Sequence, residues 1–453
     1  MVINPQEFHR ATDPSKTLNI SNPQDAKYYI DFSQVRGGQV IEELYTSITW
    51  AEDFTCNLFT GHIGCGKSTE LLCLKQKLEA ENFIVVYFES DEDLNMGDIE
   101  ISDILLAIAR RVSTILENLN QDDSSGNKSW QNLFQNAKKL LLKKLEIDIN
   151  GNIPGVGKFE LGTDFENNIN ISLSTVIGKI KVKTKEDTNL SHRLRSYLEP
   201  KTEGILEVLN QGLFRPIDKQ LKQQGKSGLV VIIDNLDRLV NTQKPTGKLQ
   251  SNYIFAERGS DLSRLCCHLV YTIPLALRYS DDYPVVKQRF KVTPIVLPMV
   301  APKLRNGQEN TPGMELLKQM VLARVFPDLS PEERLGRITE VFDQVETLND
   351  LCIASGGHVR NLLIILHGWI MKDKKLPLTS EGLNKVLINQ LNEQIAGITP
   401  DEWELLRIVN DEKNVSGDFG YEKLIRNLLV YEYRDDEGSW YEVEPILANS
   451  GKL

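Results

Sequence analysis

The stretch Gly61-His62-Ile63-Gly64-Cys65-Gly66-Lys67-Ser68 fits the pattern G-x-x-x-x-G-K-[ST]. It stands between a short apolar run, residues 54–60, read as a strand, and residues 68–80, whose Leu71, Leu72, Leu74 and Leu78 give a helical face. That context separates the motif from a chance glycine-rich turn. The glycines let backbone N–H groups curl around phosphate oxygens without a Cβ clash. The helix start adds positive dipole character. Lys67 is expected to reach the β- and γ-phosphates of a nucleotide, and Ser68 to ligate Mg²⁺. Gly61, Gly64, Cys65, Gly66, Lys67, Ser68 and Thr69 form the expected nucleotide-binding set; the side chains of His62 and Cys65 are assigned no chemistry.

Outward from this loop, residues 229–233 form a continuous apolar run of the kind found in a strand buried on both faces. The run ends in Asp234, a carboxylate suited to hold Mg²⁺, usually through water. Asn235 follows where many hydrolysing P-loop enzymes carry Glu, which points to slow turnover. Asp237, two positions on, is the candidate for orienting the attacking water; an ion pair with Arg238 or a helix cap is its plainer alternative. Residues 83–89, 268–273 and 292–297 supply three more strands. Five strands with helical crossovers imply a parallel, three-layer α/β sheet. Thr272 lies at a carboxyl strand end, where polar residues line the ligand crevice. It is a candidate contact for the γ-phosphate or the water, with a structural role equally open.

The alternation is interrupted at about 120–190. Residues 121–129 read as a polar loop and 129–145 as a helix. Segments 169–173 and 177–183 alternate, and are read as two or more β-hairpins inserted into the core. After Pro298 helical spacing takes over, in 314–325, 331–345, 348–354, 359–371 and 380–395. Ser330-Pro331-Glu332-Glu333 and Thr399-Pro400-Asp401-Glu402 are capping boxes with proline at the first helical position. A helix at 421–429 and a hairpin around Asp435-Asp436-Glu437-Gly438 suggest a winged-helix module. The expected division is an N-terminal segment 1–50 leading into the nucleotide site, a P-loop core 51–300, a helical lid 301–396 and a winged helix 397–453.

A net charge of −11 over 453 residues argues against a footprint for a nucleic-acid backbone, which needs basic surface. Six cysteines without C-x-x-C spacing argue against a zinc site, and all six are read as reduced. The N-terminus lacks a signal-peptide apolar stretch and no apolar run reaches membrane-span length, so the expected address is the cytoplasm.

Taken together, residues from about 30 to 453 resemble the AAA+ and STAND group of P-loop NTPases. The resemblance rests on Val35-Arg36-Gly37, the loop 61–68, Ile233-Asp234-Asn235-Leu236-Asp237-Arg238 and Gly356-Gly357-His358-Val359-Arg360. The D-x-x-D-R form looks like NACHT and KAP-type NTPases; the Gly-Gly-x-x-Arg helix start looks more like the origin-recognition branch. The resemblance implies ATP as ligand, a core strand order of 5-1-4-3-2, and ATP-dependent assembly or domain rearrangement reset by hydrolysis. It implies Arg36 near the adenine and Arg360 reaching the γ-phosphate. Arg278 and Arg289 lie where a subunit-bridging arginine would fall. Bacterial relatives of this kind serve in defence or signalling beside a separate effector or sensor protein. The loop also looks like that of ABC ATPases, but Ser355-Gly356-Gly357-His358 follows Asp234 where an ABC signature should precede it.

The leading expectation is an ATP-driven switch that forms homo-oligomers or engages a protein partner. A DNA-associated ATPase of origin-recognition type and a non-hydrolysing ATP-bound scaffold are the alternatives. Glu432, Asp435, Asp436, Glu437, Glu442 and Glu444 against Arg434 make the terminal hairpin a poor DNA reader.

Overall fold

Five parallel strands carry the centre of the molecule: β1 Cys56–Gly61, β2 Phe83–Glu89, β3 Gly228–Asp234, β4 His268–Thr272 and β5 Ile295–Leu297. The computed structural model describes residues 3–119, 127–147, 152–158, 172–186, 188–244, 247–416 and 420–453. Across the sheet the strands run β2-β3-β4-β1-β5, all parallel. In register, Glu89 stands beside Asp234, Ile233 beside Tyr271, and Phe59 beside both Thr272 and Ile295. The end of β1 and the polar ends of β2, β3 and β4 therefore share one edge.

The strand pleat sorts the core. Val230 and Ile232 of β3 point to the face covered by the helices Val40–Thr49 and Lys67–Ala80, with Leu44, Leu71 and Leu74. Val231 and Ile233 point to the opposite face, under Leu105, Ile108 and Val112 of the helix Ile101–Leu119. All seven residues of β3 are buried, as its unbroken apolar run requires.

The region between β2 and β3 corrects the sequence reading. Among the described residues, the only strand pairing there is Asn152–Ile153 with Gly157–Lys158. Residues 169–171 lie outside the described set. Leu173–Glu186, expected as hairpin, is a helix. Its Leu173, Val176 and Ile177, at i, i+3 and i+4, form a buried apolar face against Ile101–Leu119, and this packing outweighs the local alternation. Helices Thr188–Leu198, Thr202–Leu209 and Arg215–Gln223 complete the region, the last two joined by a π-helical stretch, Asn210–Phe214.

Beyond β5, helices Thr311–Leu322, Val345–Ala354, Val359–Asp373 and Ser380–Ile395 enclose a separate apolar core around Leu317, Phe342, Leu351, Leu366 and Trp369. Phe8 of the N-terminal helix Pro5–Ala11 is buried in that same core. Ser330 and Glu333 make both bonds of their capping box. The single helix expected at 331–345 is instead two short ones, Pro331–Leu335 and Ile338–Val341. Thr399 and Glu402 cap Pro400–Glu412 in the same reciprocal way. Tyr421–Arg426 and the antiparallel pair β6 Val430–Asp435 and β7 Gly438–Val443 follow. All six cysteines are free thiols. Among the described residues no helix is long and apolar enough to cross a membrane.

Candidate functional site

β1 runs out at Gly61, and the chain turns through Gly64 (φ +89°) and Gly66 (φ +107°) into the helix Lys67–Ala80. Glycine is required at 64 on two counts: the positive φ, and a Cβ that would lie 2.7 Å from His358 Cε1 and 2.9 Å from the Arg360 Cβ. Lys67 folds back under the loop, its ammonium donating to the Gly61 and His62 carbonyls at 2.8 Å each. It also pairs with Asp237 Oδ2 at 2.9 Å, both side chains being at least nine-tenths buried. Burial pulls the Lys67 pKa down, but Asp237, with Cys65 and Asp234, together more than offset it and the net shift is upward. The lysine is therefore held charged. Asp237 Oδ1 is buried with no hydrogen-bond partner, so the pocket holds an unsatisfied polar atom beside a fixed cation.

Asp234 is buried at the end of β3. Its Oδ2 accepts from Tyr87 Oη at 2.8 Å and its Oδ1 from the Asn235 N–H at 2.7 Å. Burial raises its pKa and the nearby Asp237 charge adds to this, while hydrogen bonds from Ser68 and Tyr87 oppose it. Ser68 and Asp234 thus meet as two hard oxygen donors at one place. The pair fits Mg²⁺, which uses one or two protein oxygens and completes its shell with phosphates and water. Among the described residues no group of three or more His, Cys, Asp or Glu could make a dedicated metal cage.

These residues open on a cleft of about 70 Å³. Ile63, Gly64, Gly66, Lys67, Ser68 and Thr69 line it from the loop, and Asp234, Asn235, Asp237 and Arg238 from the end of β3. Arg360 enters from the helical region, and Pro14, Lys16 and Thr17 from the N-terminal segment. Burial, then the like charge of Arg238, lowers the Arg360 pKa. Lys16, Lys67, Arg238 and Arg360 outnumber the carboxylates Asp234 and Asp237 around the cavity, a balance that suits an anion.

Other expected residues lie elsewhere. Thr272 does not line the cleft: it is fully buried, and its hydroxyl accepts from the Leu236 N–H at 3.0 Å, holding the turn after β3. Gly61 and Cys65 sit behind the cleft, Cys65 with Sγ 3.8 Å from the Leu297 carbonyl oxygen. Arg36 is buried behind the loop, donating from Nη2 to the Cys65 carbonyl at 2.9 Å and stacking over Phe32. Arg278, expected near a subunit boundary, is engaged within the chain by Glu432; Arg289 is exposed. The sequence reading passed over Tyr87, Glu89, Lys16 and Thr17. For the first two, the signal was their place at the polar end of the strand beside Asp234.

The loop is also gripped from outside. His358 accepts from the Asn361 N–H through Nδ1 at 2.9 Å, which leaves its Nε2–H to donate to the Ile63 carbonyl at 2.8 Å. Burial holds its pKa down to about 4, so the ring is neutral. The Arg360 N–H donates to the Gly64 carbonyl at 3.1 Å. Across the loop, the Glu432 N–H donates to His62 Nε2 at 2.9 Å, and burial keeps His62 neutral. The Glu432 carbonyl accepts from the Met299 N–H at 3.2 Å. Its carboxylate accepts from Tyr279 at 2.6 Å, Ser439 at 2.7 Å and Arg278.

No family model matches the chain, and no curated protein matches it. Among solved structures it is similar to a Walker-type ATPase of Pyrococcus abyssi, at 12% identity and a TM-score of 0.40, over 98% of this chain and 100% of that one. It is also similar to the ORC2 protein of Aeropyrum pernix in ADPNP–ADP complexes, at 12% and 0.40, over 97% and 94%. The Cdc6p protein of Pyrobaculum aerophilum aligns at 12% and 0.38, over 100% and 97%. Likeness at these values is general, and the chemistry of the site stands on its own geometry.

Proposed function

We propose that the chain is an ATP-binding and slowly hydrolysing molecular switch of the AAA+/STAND type, with a helical lid and a winged-helix module folded onto its phosphate loop. One observation carries the reading: His62, Ile63, Gly64 and Cys65 are each bonded by a different residue, Glu432, His358, Arg360 and Arg36. A phosphate chain entering this loop competes with Asp237 for Lys67 and disturbs contacts made by three other parts of the chain. Ser68 and Asp234 would hold Mg²⁺, which supplies charge neutralisation on the β- and γ-phosphates. Arg238 and Arg360 would stabilise the charge of the γ-phosphoryl group. Nucleotide state is then read out as the angle between modules, and through it as assembly or engagement of a protein partner. The acidic hairpin favours a protein over DNA.

The test is steady-state ATP turnover with and without duplex DNA, alongside light scattering in ATP and in ADP. Lys67→Ala, checked for folding by circular dichroism, is the control. Slow turnover lost in the variant, indifferent to DNA and accompanied by an ATP-dependent change in mass or shape, is the expected result. Failure to bind ATP sinks the proposal, and strong stimulation by DNA favours the DNA-associated alternative.

A further inference from the structure

The strand that carries Asp234 is followed by Asn235, where many hydrolysing P-loop enzymes carry a glutamate. We propose that Glu89, on the neighbouring strand, takes the proton of the attacking water, with Asn235 as its positioning residue; this rests on the ATP-hydrolysing reading above.

Three observations converge. Glu89 is the last residue of β2 and stands in register with Asp234, so the parallel pairing sets it directly behind Asp234 and Asn235, which line the cleft. Asn235 adopts a left-handed conformation (φ +63°), and its Nδ2 donates to Glu89 Oε2 at 2.8 Å. Asparagine accepts this backbone region more readily than glutamate does, so position 235 provides an amide that reaches across and a carboxylate answers from β2. The remaining oxygen, Oε1, is left to accept a water.

The competing carboxylates are less suited. Asp237 is neutralised by Lys67 at 2.9 Å inside the protein, which weakens it as a proton acceptor. Asp91 accepts from the same Asn235 amide at the longer distance of 3.2 Å and is exposed. Glu89 has a neutral amide as its hydrogen-bond donor and is half-buried, so a proton it receives has a path to solvent.

In the step, the water oxygen bonds to the γ-phosphorus as the β–γ bridging P–O bond breaks. The electron pair of that bond leaves on the β-phosphate of ADP. One water proton passes to Glu89 and then to bulk water, and inorganic phosphate departs.

The experiment pairs turnover with ATP affinity, measured by titration with a fluorescent ATP analogue in the full chain. Glu89→Gln is expected to lower kcat by about 100-fold or more, the usual weight of a general base, with affinity within about twofold of wild type. Glu89→Asp retains measurable turnover. Asn235→Gly, which keeps the left-handed backbone, lowers kcat about tenfold at unchanged KM, the mark of a group acting beyond ground-state binding. Turnover of Glu89→Gln within about twofold of wild type, while Lys67→Ala is inert, overturns the assignment of Glu89 and leaves the ATPase reading standing. Wild-type protein that binds ATP yet turns over no faster than Lys67→Ala overturns both.

Discussion

The two ends of the sheet differ in a way that room alone would rank wrongly. At the amino end, Phe54, Phe83, Ser227 and His268 border a cavity of about 540 Å³, beside a Trp50 that is 82% exposed. At the carboxyl end the cavity is about 70 Å³. Yet the small one holds the buried ion pair, the positive-φ glycines and the converging arginines, while the large one has the mixed Asp218, Lys222, Arg215 and Glu52 of an ordinary surface. Chemistry is marked by charge brought out of water and fixed there. Exposed charges are screened and interchangeable.

The largest test of that contrast is Lys67→Met. It leaves Asp237 buried and unpaired, and is expected to cost about 3–5 kcal/mol in denaturant unfolding. Adding Asp237→Asn should recover most of that stability without restoring ATP binding. A single-variant loss under about 1 kcal/mol would mean the carboxyl end is wetter than its burial implies.

A second buried acid sharpens the comparison. Glu444, in the hairpin module that closes over the loop, has its pKa raised by burial from 4.5 to about 7. A carboxyl raised on folding adds stability that is complete below its unfolded pKa and is lost as pH climbs through its folded one. Wild-type stability should therefore fall, relative to Glu444→Gln, between about pH 4.5 and pH 7, by up to about 3 kcal/mol. Parallel stability–pH curves for the two proteins would place Glu444 in water.

The smallest effect belongs to the roomy end. Trp50→Ala should change stability by less than about 0.5 kcal/mol and leave ATP turnover unaltered. A clear change in turnover would couple the amino-end cavity to the phosphate loop and dissolve the contrast.

What could be read in the sequence followed from locality. The loop 61–68 is one contiguous motif, and both capping boxes are complete within four residues, so their physics is written where they occur. The unbroken apolar run into Asp234 announces a strand covered on both faces. For Thr272 the sequence left a ligand contact and a structural role equally open, because the Leu236 N–H that its hydroxyl accepts from lies on another strand's turn. Glu89 was passed over because its meaning depends on β2 lying beside β3, separated from it by more than a hundred residues of chain. In residues 177–183 the alternation was real as a pattern. The partner that decided helix over strand was the distant face of Ile101–Leu119.

Glu432 ties the hairpin to the core through its amide, its carbonyl and its carboxylate together, and its amide ends on the phosphate loop. A single residue so placed acts as a hinge pin shared by two conversations. If nucleotide binds the loop as proposed, then by reciprocity a partner that prefers the hairpin displaced would change nucleotide affinity by the same factor that nucleotide changes the partner's. The two ligands need never touch to negotiate with each other.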